Sequence, residues 1–334
     1  MKRRIMIITR LVIFACLLGA CDKGNNDGRS GIVNYRVKTV SGHNQLWGDF
    51  RMVYGYTGSR LDSIVWRNHR GEKTRMLEVS YNVNKIIAEL DDIVCKVSAD
   101  SAAKLDPDSI PYTWQTALRI EHTTDRQGNL LDEYIVYRAP VEQTAGEEYS
   151  YIYEQIGEVK FLYEYDEEGK LLAWRSPFYG DNRYMVKESY VYNGQRTDEG
   201  RLWVYELPEW KQVGSEVFSY NGDLLVGWQA SLTLPGESLQ ETKAGYTYAG
   251  NQLQKITYTV RENGGWKTTR EVTYTFDNSG RVTKIDYGNG EWEEIEYEDL
   301  PGNSDYFLLK ANEVYQIPDV LGHLRARSFV PVIR

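Results

Sequence analysis

YTYAGNQLQKITY at positions 246–258 and YTFDNSGRVTKIDY at 274–287 are two tandem copies of one pattern. Each holds two aromatics two residues apart, a Gly-containing turn, an aliphatic residue and a third apolar position three further on. Val272, Tyr274 and Phe276 alternate with Glu271, Thr273 and Thr275, so a strand here has one apolar and one polar face. Tyr, Phe, Val and Thr also fit a half-buried pleated surface. Asp277, Asn278, Ser279 and Gly280 supply a turn starter and a residue tolerant of positive φ. Val282 and Ile285 lie three apart, which breaks strict alternation and predicts a bulge. The unit is a β-hairpin.

Working outward, equivalent aromatics fall at Tyr163, Tyr190, Phe218, Tyr246 and Tyr274, in steps of 27 or 28 residues. A fixed period of that size signals a repeat architecture. A second set of turns lies between them, at 179–182, Pro208, Pro235, Asn263-Gly264 and Asn289-Gly290. Two strands and two turns per period make an antiparallel meander. Earlier copies begin at Tyr54, more weakly at Tyr81, and imperfectly over His122–Leu130. Residues 91–114 read as a loop with a short helix, and 138–158 as an inserted strand or an elongated hairpin. The expected fold is all-β, an extended, twisted antiparallel meander of about eight hairpin repeats with a period near 28 residues, filling 31–300. Residues 301–334 lack the pattern and are expected to cap the open edge of the last strand.

The 334-residue chain is 41% hydrophobic, far above what disordered segments carry. Residues 1–20 read as a targeting segment: Lys2, Arg3, Arg4 and Arg10 surround a short apolar run, too short for a transmembrane helix. Residues 21–30 are polar and read as a flexible tether. Net charge is −9, and losing the signal cations makes it more negative, which disfavours nucleic acid as a partner. Once Cys16 leaves with the signal, only Cys21 and Cys95 remain, so no disulfide framework is expected.

Leu18-Gly19-Ala20-Cys21 resembles the bacterial lipoprotein signal box, which implies cleavage before Cys21 and acylation of its thiol; an ordinary secretory signal is the alternative. Tyr163-Glu-Tyr165-Asp166 with Gly169 and Leu171, and Phe276-Asp277 with Gly280 and Val282, resemble the YD repeats of the RHS family. They are closer still to the YD-like repeats of Bacteroidetes-type lipoproteins. The resemblance implies a lipid-anchored cell-envelope protein, on the outer membrane, held to the membrane through Cys21.

No chemistry-bearing motif stands out. His43, His69, His122 and His323 are scattered, without i, i+4 pairing. The adjacent carboxylates Asp91-Asp92, Glu147-Glu148 and Glu293-Glu294 would point to opposite faces of a strand. No catalytic residue, metal site or cofactor is expected. The leading reading is a non-catalytic binding or scaffold module for a glycan or an envelope protein. Its rivals are a glycan hydrolase and an accessory subunit of an outer-membrane transport or assembly complex. Trp210, Trp266 and Trp292 each follow the second turn of their repeats, with Tyr184 in the equivalent place one repeat earlier. They form either a binding rim of amphipathic rings or a core ladder, because Trp266 stands an even eight residues before Tyr274. Trp66 and Trp174, at post-turn apolar positions, are expected in the core.

Overall fold

A computed structural model describes residues 34–44, 48–95, 112–126, 129–145, 148–176, 185–194, 196–206, 208–233, 236 and 238–302. Eighteen strands follow one another: β1 (Arg36–Asn44), β2 (Gly48–Thr57), β3 (Arg60–Asn68), β4 (Lys73–Tyr81), β5 (Lys85–Cys95), β6 (Tyr112–Thr124), β7 (Leu130–Ala145), β8 (Glu148–Tyr165), β9 (Leu171–Ser176), β10 (Met185–Asn193), β11 (Arg196–Glu206), β12 (Glu209–Asn221), β13 (Leu224–Leu232), β14 (Gln240–Ala249), β15 (Gln252–Glu262), β16 (Gly265–Phe276), β17 (Val282–Asp286) and β18 (Trp292–Glu298). Each pairs antiparallel with its sequence neighbours. β1 also pairs with β18, from Arg36 against Glu298 to His43 against Trp292. The sheet is therefore a closed 18-strand antiparallel barrel.

Closure corrects the expected fold. The meander is not extended or open, because the apolar face that runs along every strand is buried by rolling the sheet shut, which also removes both edges. The resemblance to YD-repeat and RHS-like lipoproteins falls with it, since a closed ring is not an open repeat shell. β18 has a partner on each side, so it offers no edge for a cap. Residues 303–334, 1–33 and Cys21 lie outside the described residues.

One face of the strands supplies the core. Leu61, Ile64, Val186, Leu202, Ile256 and Val272 are fully enclosed, and Tyr190, Phe218, Tyr246 and Tyr274 are buried beside them. A closed sheet can shield only its inner face by itself, so this apolar face points inward and the barrel is filled with side chains. The wall also curls sharply in places: β5 and β8, separated by β6 and β7, come within 8 Å between Cα atoms. The outer wall is polar, with ion pairs running between neighbouring strands: Lys255–Glu271 at 2.9 Å, Arg261–Glu241 at 2.6 Å, Lys284–Glu294 at 2.9 Å and Lys85–Glu121 at 3.2 Å. A lipid-spanning barrel needs the reverse, an apolar outer band. This outer wall is built to face water.

Turns follow local chemistry. Asp166 and Asp277 each accept two backbone N–H bonds, from Glu168 and Lys170 and from Ser279 and Arg281, at 2.8–2.9 Å. Gly169 and Gly280 close those loops, both at φ 80°. The predicted bulge is present: the register shifts between Thr275 and Phe276, and equivalent shifts follow Gly55, Ser219 and Thr247. Each lets two apolar residues three apart, such as Leu253 and Ile256, both face inward. A second device clasps hairpins together. The hydroxyls of Tyr56, Tyr81, Tyr192 and Tyr248 donate to the carbonyls of Val37, Leu61, Leu171 and Leu225 at 2.7–2.8 Å.

Candidate functional site

The outer wall of β12–β15 carries a groove of about 550 Å³, within the size range of ligand sites. Its depth comes from two glycines. Gly227 and Gly245 are register partners on adjacent strands, so the wall there has no side chains. A Cβ at Gly245 would meet nothing within 4 Å. Ser219 pairs with Gly227 and Thr257 with Gly245, which extends the shallow row across four strands, about 14 Å at ordinary strand spacing. The next row holds Val217, Gln229, Lys243 and Thr259. Beyond it Ser215 and Ser231 face each other, with hydroxyls 3.2 Å apart. The lining is thus mainly hydroxyl, amide and bare backbone, with the Lys243 ammonium, the half-buried Val226 and one exposed aliphatic, Val217.

Trp266 stands at the margin of this groove. The Lys243 ammonium, which lines the groove, lies 4.2 Å from its ring centroid. Trp266 is 39% exposed, although its even spacing from Tyr274 would put it in the core. The cause is a bulge: Tyr258 pairs with Arg270 but Thr259 pairs with Thr268. The extra residue, Thr269, reverses facing along β16, so Trp266, paired with Arg261, comes out on the polar side. β12 repeats the device, with a shift between Leu202 and Trp203 that sends Trp210 outward against Tyr205, ring centroids 5.4 Å apart. Trp292 also lies on the outer face, half-buried, with Lys284 Nζ 5.3 Å from its ring. The three tryptophans therefore share a wall and do not form a core ladder. Only Trp266 adjoins the groove. Tyr184 lies outside the described residues. Trp66 and Trp174 are 4% and 1% exposed, in the core.

Two facing carboxylates do exist, but inside the wall. Glu188 and Glu216 are 1% and 0% exposed. Both approach the space beside Gly200, where a Cβ would sit 3.3 Å from an oxygen of each. The Trp174 indole N–H donates to Glu188. Burial, then the neighbouring Glu188, push the Glu216 carboxyl well above the ordinary carboxylate range, with the Trp228 indole acting against them. No sequence signal marked this pair, because each Glu sits singly at an inward strand position. A hydrolase needs its two carboxylates open to substrate on either side of the scissile bond, and these are sealed beneath the sheet. A second buried polar pair, His122 Nε2 with Glu133 at 2.7 Å, is equally enclosed. Glu293 is buried and Glu294 pairs outward with Lys284, on opposite faces. Among the described residues no group of three or more His, Cys, Asp or Glu could hold a metal ion.

No family model matches the sequence, and no curated protein matches it. Solved structures do overlap with the fold. A porin-like protein from Bacteroides vulgatus superposes with a TM-score of 0.37 at 10% identity, over 79% of this chain and 99% of its own. A porin-like protein from Bacteroides uniformis gives 0.30 at 13%, over 67% and 96%. The TcdB2–TccC3 structure gives 0.26 at 12%, over 74% of this chain and 15% of its own. Overlaps this loose transfer no property from those proteins.

Proposed function

We propose that this barrel is a non-catalytic binding module of the bacterial cell envelope, at the outer membrane, and that its ligand is a glycan. The carrying observation is the groove: a glycine-floored trench walled by Ser219, Thr257, Thr259 and Gln229, with Trp266 half-exposed beside it. Hydroxyl and amide groups exchange hydrogen bonds with sugar hydroxyls in either direction. An indole face offers the C–H side of a sugar ring an apolar platform at low entropic cost. The location rests on the signal-like residues 1–20, and acylation of Cys21 belongs to the same proposal. A polar outer wall gives the barrel no means of entering lipid itself, which is what an N-terminal anchor would supply.

Calorimetric titration with neutral and acidic oligosaccharides tests the reading. Gly245→Val fills the trench where a Cβ meets open space, at a strand position suited to a branched residue. It should abolish binding and leave the melting temperature unchanged or slightly raised. Trp266→Ala should weaken binding at least tenfold. If no oligosaccharide binds the unaltered protein, or if Gly245→Val binds normally, the groove is not the site.

A further inference from the structure

The charge balance of the groove points to the kind of glycan. Two acidic side chains border the groove, and both have cationic partners. Glu271, beside Thr257, is held by Lys255 at 2.9 Å and accepts from the Thr257 hydroxyl at 3.2 Å. Glu241, beside Ser231, is held by Arg261 at 2.6 Å. Lys243 is flanked in register by Gln229 and Thr259, neither of which carries charge, and Glu241, two residues along β14 on the same face, is engaged by Arg261. The Lys243 ammonium packs on the Trp266 ring, and among the described residues no carboxylate forms an ion pair with it. Lys243 is thus a cation without an ion pair in the middle of a trench lined mainly by hydroxyl, amide and backbone groups.

We infer that the groove selects an acidic oligosaccharide, one bearing carboxylate groups, with Lys243 reading the negative charge and Trp266 the ring beside it. This rests on the glycan reading above and narrows it. The ring contact fixes the ammonium over one place, since a cation on an indole face loses freedom of movement. A carboxylate reaching that place gains a charge-assisted hydrogen bond, stronger than a neutral one. A neutral sugar offers Lys243 no opposite charge and gains only a hydrogen bond to a neutral oxygen.

The test pairs each acidic probe with its neutral twin. Galacturonate, glucuronate and mannuronate oligosaccharides are titrated against their own methyl esters, which keep ring and linkage but remove the charge. At least one acid should bind about tenfold more tightly than its ester, as expected for a hydrogen bond to a charged group. The gap should narrow as salt is raised. Lys243→Gln should erase the gap between each acid and its ester, and Lys243→Arg should preserve it. Equal binding of acid and ester overturns the inference and leaves the glycan reading standing. A gap that survives in Lys243→Gln also overturns it, because the charge is then read elsewhere. Failure of every acid and every ester to bind overturns both readings together.

Discussion

Glu216 shows what a single inward position costs. Its carboxyl is wholly enclosed and its pKa is shifted upward by burial and by Glu188, so the folded protein keeps a proton that the unfolded chain releases above about pH 4.5, the ordinary value for this group. The sign follows: the folded state binds more protons over that interval, and stability falls as pH rises toward the raised folded value. Glu216→Gln, neutral at all pH, should flatten that slope in melting temperature against pH. An unchanged slope would show that Glu216 is ionised or exposed. Trp174 and Trp266 make the complementary contrast between the two faces of the wall. Trp174→Ala removes a ring packed edge-on against Phe161 at 5.5 Å and strips Glu188 of its indole donor. It should cost about 3–5 kcal/mol in denaturant unfolding. Trp266→Ala, on the water side, should cost no more than about 0.5 kcal/mol.

The hairpin is the level at which the chain could be read ahead of its structure, and also where reading stopped. Val272, Tyr274 and Phe276 showed the alternation, Asp277 and Gly280 the turn, and Val282 with Ile285 the bulge beyond it; all are local features written in adjacent residues. The bulge at Thr269 is different. Nothing in Lys267-Thr268-Thr269-Arg270 distinguishes a bulged strand from a straight one, so parity counted from Tyr274 put Trp266 on the wrong face. The groove was hidden for the same reason, because Gly227 and Gly245 become partners only through the β13–β14 register. Barrel closure was out of reach too, since β1 and β18 lie some 260 residues apart (Arg36 with Glu298). The tyrosine clasps, each joining residues 19 to 23 apart, can be tested one at a time. Tyr248→Phe deletes only the hydroxyl that donates to Leu225 at 2.8 Å, and should destabilise by about 1 kcal/mol. Loss of that amount without altered oligosaccharide binding would mark the clasp as a hairpin fastener alone.

Closure is what leaves the sheet without an open edge, and β1 is the strand that completes it. It pairs with β2 from Thr39 against Val53 to Asn44 against Gly48, and with β18 from Arg36 against Glu298 to His43 against Trp292. Its Val37 and Val40 are buried in the shared core, and the Arg36 guanidinium pairs with Glu298 at 2.5 Å across the seam. Removing residues 34–44 would leave β2 and β18 as two long unpaired edges and open the aromatic interior beside them. Unpaired edges recruit other chains, and an exposed apolar interior does the same. The deletion should therefore give dimers or larger aggregates in light scattering, with dye binding that reports exposed apolar surface. Ending the chain after Gly302 is the informative control, because it leaves both ladders of β18 intact. That protein should stay monomeric with an unchanged melting temperature. The opposite pattern, in which the deletion of 34–44 stays monomeric while the shorter C-terminus aggregates, would mean that the C-terminal residues and not β1 seal the edge of β18.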